Sequence, residues 1–174
     1  MTKRKNSKVM LPLEDAFWAD PNNRRIPVDI LPDDPMFIPM YKSRGAAAAD
    51  LIANIPPDEL TGERVVKLIP GTIETIDCGF RLQLPPGWEA QVRARSGLAR
   101  RGIQITNGIG TIDDDYRGRM GVIINNAGKE IVYIKHGERF AQFALKPVWY
   151  FNWNIRTQLE ESERGEGGFG STGG

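Results

Sequence analysis

Apolar and polar residues alternate along two neighbouring stretches of the sequence, Phe80–Leu84 and Trp88–Ala94. A period of two predicts β-strands with one face toward solvent, and the intervening Pro85-Pro86-Gly87 predicts that they form a hairpin. Short runs of apolar and β-branched residues predict further strands at 103–106, 121–124, 131–134 and 140–145. Because the sequence lacks a long amphipathic helical pattern, we expect an all-β fold, a distorted jelly-roll or β-barrel.

One short helix is predicted between Ser96 and Arg101. Ser96 would cap its start, and Gly102 would end it in the left-handed conformation. The free backbone N–H groups at its start, beside Arg95, have the character of an anion site. The alanine-rich stretch Gly45–Leu51 is also compatible with a short helix, because alanine is the best helix former.

The charge balance and the cysteine content narrow the class of protein. The chain has 23 Lys and Arg against 22 Asp and Glu, so its average charge predicts neither nucleic acid nor an anionic membrane as a partner. The single cysteine, Cys78, is predicted to be a small core residue in a reducing compartment. No apolar run is long enough to cross a bilayer, and no signal-peptide pattern is present. We therefore expect a soluble, cytoplasmic protein.

Composition divides the chain into three parts. Residues 1–35 are predicted to be an irregular N-terminal extension with one helical turn at Leu13–Trp18, and residues 36–153 a β domain. Residues 154–174 are predicted to be a C-terminal linker followed by a flexible Gly-rich arm. An aromatic run near the end of the β domain is predicted to lie in the core or at a subunit interface; it contains Trp149, Tyr150, Phe151 and Trp153.

The Gly-rich arm from Arg164 to Gly174 has six glycines around one arginine, one phenylalanine and two hydroxyl side chains. One interpretation is a disordered terminus. The other is a lid over a nucleotide. Glycines let a backbone wrap phosphate closely, the arginine would clamp the charge, and Phe169 offers a face for a planar base.

Carboxylates are crowded between Ile112 and Gly118, where three aspartates precede Tyr116 and Arg117. Like charges this close repel one another and call for a counter-charge. For this segment alone, a solvated acidic turn is the simplest interpretation. Within it, Asp114 and Asp115 are predicted to be structural and to pair with Arg117 or Arg119. Further along, His136 in a Lys-His-Gly turn is predicted to be a surface residue.

Five segments, in order, resemble the five motifs of the trimeric deoxyuridine triphosphate nucleotidohydrolases, the dUTPases. They are Ala47–Ala53, Arg95–Ala99, Asn107–Gly118, Gly137–Gln142 and Arg164–Gly173. The resemblance begins near Met36 and implies the dUTPase-like β-clip fold. Two departures are visible: Ala48 stands where the family usually has glycine, and Phe140 where it has a smaller aliphatic residue.

The resemblance implies hydrolysis of dUTP to dUMP and pyrophosphate, which keeps uracil out of DNA and supplies dUMP for dTMP synthesis. Asp113 would be the general base that activates a water for in-line attack on the α-phosphorus, with Asp50 and Arg95 completing the catalytic set. The implied cofactor is Mg²⁺ carried by the triphosphate. No direct protein ligand is implied, and Asp50 would reach the ion only through water.

The resemblance also implies how substrate is bound. The hairpin 107–121 would read the uracil edge, Tyr116 would pack under the sugar and exclude a 2′-hydroxyl, and Phe169 would stack on the base. The remaining residues would hold the phosphates or complete the lid. The full set is Arg95, Ser96, Gly97, Asn107, Thr111, Ile112, Asp113, Tyr116, Gly121, Gln142, Arg164, Phe169, Gly170, Ser171 and Thr172.

A homotrimer with shared active sites is implied by the family, and the arm can close over its own site or a neighbour's. Two alternatives stay open at this point. One is a dCTP deaminase-like enzyme, which shares the fold and the Arg-Ser-Gly segment. The other is a non-catalytic β-sandwich binding or assembly module, which would leave the acidic segment and the arginines unexplained.

Overall fold

The computed structural model describes residues 25–168 as an all-β fold with one short helix. The predictions for Leu13–Trp18 and for the end of the arm lie outside the described residues. The strands are β1 (Asp29–Pro32), β2 (Ala49–Ile52), β3 (Val65–Leu68), β4 (Ile73–Asp77), β5 (Phe80–Gln83), β6 (Trp88–Ala94), β7 (Ile103–Ile105), β8 (Gly110–Ile112), β9 (Gly121–Asn126), β10 (Val132–Lys135) and β11 (Arg139–Pro147). A 3₁₀ turn spans Pro35–Phe37, and the helix α1 spans Ser96–Ala99.

Four antiparallel sheets are built from these strands. The largest has the order β2-β11-β6-β8, a second has the order β4-β9-β7, and the pairs β1-β5 and β10-β3 complete the set. The sheets enclose one apolar core, in which the largest fully buried side chains include Phe80, Phe140 and Met120. The all-β prediction is confirmed. The strands found between residues 25 and 168 form separate sheets and do not close into a barrel.

The two alternating stretches are strands, but they do not pair with each other as predicted. β5 pairs with β1, whereas β6 pairs with β11 on one edge and β8 on the other. The ladder with β11 runs over seven residue pairs, from Ala141 opposite Ala94 to Pro147 opposite Trp88. Because β11 and β8 occupy the two edges of β6, no edge is left for β5. The turn between β5 and β6, in which the Trp88 N–H donates to the Pro85 carbonyl oxygen, leads the chain into a different sheet.

Both helix predictions need correction. The alanine-rich stretch contains β2, because pairing with β11 and burial of Leu51 outweigh the propensity of a helix too short to be stable alone. α1 is present and Gly102 has the predicted left-handed φ, +89°, but the helix ends at Ala99, with Arg100 and not Gly102 as its C-cap. However, Arg95, not Ser96, is the N-cap, and its side chain makes no capping hydrogen bond. Its guanidinium is engaged elsewhere, at Asp50.

An N-terminal strap, defined here as residues 29–37, lies along β5. Its strand β1 pairs Asp29 with Gln83 and Pro32 with Phe80. The 3₁₀ turn buries Phe37 against Gly79, where an added Cβ would lie 2.5 Å from the phenyl ring. Gly79 also has φ +75°, which disfavours other residues. The strap therefore has a defined seat on the β domain; the predicted boundary at residue 35 stays a prediction.

The aromatic run is not in the core of the chain. Trp149, Tyr150, Phe151 and Trp153 are between 72% and 85% exposed. The core prediction is therefore wrong, while the subunit-interface prediction is left standing. Cys78 is fully buried, as predicted, and burial raises the pKa of its thiol. Among the described residues, no helix has the length and hydrophobicity that a membrane crossing requires.

Candidate active site

The segment between β7 and β9 forms a cavity of about 120 Å³. β8 holds one side of it in place by pairing with β6, and Gly110 lies so close to β6 that a Cβ there would be 3.1 Å from the Val92 Cβ. The cavity is lined by five residues predicted from the sequence: Thr111, Ile112, Asp113, Tyr116 and Gly121. Because pockets for small molecules usually have volumes of roughly 300–1,000 Å³, this cavity can hold only one part of a nucleotide.

Tyr116 is fixed from two sides. Its hydroxyl donates a hydrogen bond to the Arg119 carbonyl oxygen at 2.8 Å, and its N–H donates to the Asp113 carbonyl oxygen at 3.3 Å. Gly118 makes this arrangement possible, because a Cβ at that position would lie 2.3 Å from the phenolic oxygen. Tyr116 is 42% exposed, so part of the residue is accessible to a ligand.

The acidic segment is held by contacts that the sequence did not indicate. Asp114 Oδ2 accepts a hydrogen bond from the Gly87 N–H at 2.8 Å, and Arg117 Nη1 donates to the carbonyl oxygen of Asp114, not to its carboxylate. Arg119 binds Asp33 and Asp77. The predicted pairing of Asp114 with Arg117 or Arg119 is therefore wrong, since a backbone amide supplies the partner. Asp113 remains exposed at the cavity.

A second cluster gathers two arginines on Asp50, whose carboxylate is nearly buried on β2. Arg95 Nε lies 3.3 Å from Asp50 Oδ1, and Arg139 Nη1 lies 2.9 Å from Asp50 Oδ2. Gln142 Nε2 also approaches Oδ1, at 3.4 Å. Arg95 Nη1 donates in turn to the Arg139 carbonyl oxygen at 2.6 Å. One carboxylate against two guanidiniums leaves a net positive charge, and both arginines keep an exposed face.

Arg139 is the residue that sequence reasoning missed. It lies within the motif-like segment Gly137–Gln142, but nothing in the sequence distinguishes it there from other surface arginines. A β-bulge between Arg139 and Ala141 explains its position. The bulge lets Phe140 turn into the core while Arg139 stays on the side of Asp50. The Phe140 departure is therefore accommodated within the core of this chain.

The other predicted site residues take different places. Ser96 and Gly97 are exposed at the start of α1, next to Arg95, and Asn107 is exposed near Gly110. Arg164 Nε donates to the Gly167 carbonyl oxygen at 2.7 Å, a contact within the arm itself. Phe169, Gly170, Ser171 and Thr172 lie outside the described residues.

His136 lies neither at the cavity nor in the Asp50 cluster. It is half-buried, which corrects the prediction that it is a surface residue. Its Nδ1 accepts a hydrogen bond from the Ile55 N–H at 3.2 Å, and its ring meets Phe37 edge to face. Burial, followed by the positive charge of Arg64, lowers the pKa of His136. The neutral imidazole is thus part of the packing beneath the N-terminal strap.

No metal cage is visible in the part of the chain described here. Within residues 25–168, no group of three or more His, Cys, Asp or Glu side chains is arranged to hold a metal ion. Asp50 offers oxygen atoms of the type that Mg²⁺ prefers, but two arginines already engage both of them.

Comparison with known proteins points to one family. A model of the dUTPase family matches residues 35–173. The deoxyuridine 5′-triphosphate nucleotidohydrolase of Roseobacter denitrificans is 42% identical over 158 residues, which cover 90% of this chain and 93% of that protein. The corresponding protein of Desulfotalea psychrophila is 46% identical over 137 residues, covering 78% of this chain and 87% of that protein.

Solved structures share the fold. The dUTPase of Staphylococcus bacteriophage 80alpha, determined with dUPNHPP, superposes with a TM-score of 0.69 at 24% identity, covering 84% of this chain and 98% of that one. A mutant dUTPase from phage phi11 of S. aureus, described with a structural Mg(II) ion, gives a TM-score of 0.62 at 19% identity. It covers 78% of this chain and 99% of that one.

Proposed function

Because the chain belongs to the dUTPase family and hydrolyses dUTP to dUMP and pyrophosphate, we propose that Asp113 is the general base of this reaction. The observation that carries the proposal is the cavity that Asp113 lines together with Thr111, Ile112, Tyr116 and Gly121. An exposed carboxylate there can orient a water and accept its proton. The reaction serves to keep uracil out of DNA and to supply dUMP for dTMP synthesis.

Selectivity for uracil and deoxyribose is assigned to the same hairpin. The uracil edge meets the hairpin backbone and Asn107, whereas cytosine would face donor against donor, at a cost of roughly 1–3 kcal/mol for each unmatched buried group. Tyr116 packs against the C2′ side of the sugar, where its fixed ring leaves no space for a hydroxyl. Support comes from the two hydrogen bonds and the close approach of Gly118 that hold this ring.

The Asp50 cluster is assigned to the phosphates. Arg95, with Ser96, Gly97 and Gln142, would contact the phosphate chain, and the exposed guanidinium of Arg139 joins this set. Asp50 keeps both guanidiniums oriented before substrate arrives, which reduces the entropic cost of binding. When bound, Mg²⁺ would neutralise phosphate charge, and it would come with the triphosphate and meet Asp50 only through water.

We propose that the active form of the enzyme is a homotrimer in which each active site is built from residues of more than one chain. In one chain, the order β2-β11-β6-β8 separates the Asp50 strand from the strand before Asp113 by three strand spacings, roughly 14 Å. The general base and the residues that contact the phosphates must meet at one bound triphosphate. The separation therefore favours sites in which the two clusters come from different chains. The exposed aromatic run provides apolar surface for contact with a neighbour.

The arm would close the site. Arg164 would bind the β- and γ-phosphates with Ser171 and Thr172, while Phe169 stacks on uracil and Gly170 lets the backbone approach. A reducing, cytoplasmic location agrees with the single buried thiol of Cys78.

Hydrolysis in ¹⁸O-labelled water tests which phosphorus is attacked. In a single turnover with Mg²⁺, we expect one ¹⁸O atom in dUMP and none in pyrophosphate, because the water activated by Asp113 bonds to the α-phosphorus. Mass spectrometry of both products measures this. Label found in pyrophosphate would mean attack on the β-phosphorus and would overturn the assigned geometry.

A further inference from the structure

The N-terminal strap contacts the hairpin that carries Tyr116 through Asp33, which binds Arg119. Pairing of β1 with β5 and the Asp33 N–H, which donates to the Gly79 carbonyl oxygen at 2.8 Å, fix the position of Asp33. The next residue, Asp34, makes a different contact, since its Oδ1 accepts from the Met36 N–H at 2.8 Å and caps the 3₁₀ turn. Two adjacent carboxylates thus point to different partners.

Arg119 joins the strap to the β domain. Its guanidinium holds Asp33 through both carboxylate oxygens, at 2.5 and 3.3 Å, and holds Asp77 Oδ2 at 2.5 and 3.2 Å. Asn54 Nδ2 also reaches Asp77, at 3.2 Å. The hydrogen bonds from Arg119 lower the pKa of Asp33. Because these charged groups are between 32% and 42% exposed, the network contributes little to global stability.

The backbone of Arg119 has a second role, since its carbonyl oxygen accepts the Tyr116 hydroxyl. On the other side, Met120 is buried, its N–H donates to the Phe80 carbonyl oxygen, and its own carbonyl oxygen accepts from the Cys78 N–H. Arg119 is therefore held by the contacts of its guanidinium and by the backbone hydrogen bonds of Met120, while its carbonyl oxygen anchors the Tyr116 hydroxyl. The same residue thus carries both the guanidinium that the strap binds and the acceptor that places the ring.

We propose that Asp33 and Arg119 are positioning residues for sugar discrimination: the strap holds Arg119, and Arg119 holds Tyr116 against the C2′ position. The inference rests on the proposed role of Tyr116 in excluding a 2′-hydroxyl. It assigns a purpose to a segment, the strap, that lies outside the five motifs. Loss of the bridge leaves the reacting groups in place and loosens only the ring.

The test compares UTP with dUTP, expressed as the ratio of kcat/KM for UTP to kcat/KM for dUTP. Both substrates carry the same phosphates, so changes in phosphate binding cancel in this ratio. We expect Asp33→Asn to raise the ratio about three- to tenfold, less than the roughly 10²-fold that a displacement of about 1 Å can cost in rate. Asp34→Asn, the matched control, makes the same charge change one residue away, keeps a capping oxygen, and leaves the ratio within about twofold.

A double-mutant cycle shows whether the effect passes through Tyr116. Tyr116→Phe keeps the ring and removes the hydrogen bond to Arg119, so we expect it to raise the ratio as Asp33→Asn does. In the double variant, the rise in the ratio should equal that of the more strongly affected single variant, because both changes break the same chain of contacts. Arg119→Lys keeps the positive charge but lacks the planar guanidinium that binds two carboxylates at once. We expect it to raise the UTP to dUTP ratio as Asp33→Asn does. Additive effects, or equal effects of Asp34→Asn, would overturn the inference.

Tyr116→Ala separates this inference from the function on which it rests. If removing the ring leaves the UTP to dUTP ratio unchanged, Tyr116 does not exclude the hydroxyl and its proposed role fails. If Tyr116→Ala raises the ratio while Asp33→Asn and Arg119→Lys do not, only the strap inference fails.

Discussion

Replacing Asp113 by asparagine is expected to lower kcat for dUTP about 10²- to 10⁴-fold, the usual contribution of a positioned general base. Asparagine has the same shape and can still orient a water, but it cannot accept the proton. Binding should change little, because the hairpin and the arginines remain. Pyrophosphate release measures turnover, and titration with a non-hydrolysable dUTP analogue measures affinity.

Asp115→Asn is the matched control for this loss. Asp115 is exposed in the same acidic segment, carries the same charge and does not line the cavity. We expect it to keep turnover within about threefold, as is common for surface substitutions away from the chemistry. Near-normal turnover in Asp113→Asn would show that Asp113 is not the base. An equal loss in Asp115→Asn would show that the general charge of the segment matters and not the one carboxylate at the cavity.

Mixed trimers are expected to recover activity that neither parent has. One parent carries Asp113→Asn with an intact arm, and the other keeps Asp113 but ends after Glu163. If a neighbour supplies the arm, random assortment of equal amounts makes about a quarter of the sites complete, because half have the base and half of those have an intact neighbour. Pyrophosphate release before and after subunit exchange gives this fraction.

Two results would contradict the shared-site account. Activity in the truncated parent alone would show that the arm is dispensable. If mass spectrometry confirms that mixed trimers have formed and they still release no pyrophosphate, each chain closes its own site. The unexchanged mixture serves as the control, since both parents are present there at the same concentrations.

The strands could be predicted because burial of one sheet face imposes a period of two on sequences such as Phe80–Leu84. Their pairing could not be predicted from those residues. β6 pairs with β11 and β8, which are distant from it in sequence, and the seven residue pairs with β11 outweigh the local preference of the Pro-Pro-Gly turn for a hairpin. Likewise, alanine propensity at 46–51 is a local signal, and the pairing of β2 with β11 outweighs it.

The candidate site was predictable where its residues are close in sequence. Thr111, Ile112, Asp113 and Tyr116 belong to one segment, and the structure places them around one cavity. Contacts between distant residues were not predictable in this way. Arg139 reaches Asp50 because of a bulge, and Arg119 reaches Asp33 across 86 positions because the strap lies along β5. Charge alone cannot select such partners among the 22 acidic residues of the chain.

The selectivity of the enzyme is tested most directly by product formation from dUTP, dCTP, dTTP and UTP with Mg²⁺ by the unaltered protein. We expect rapid pyrophosphate release from dUTP, with little from the other three, because the hairpin accepts uracil and Tyr116 excludes the 2′-hydroxyl. Ammonia released from dCTP would instead identify a deaminase. Equal turnover of all four nucleotides, or of none, would contradict the assignment of base and sugar selection to this hairpin.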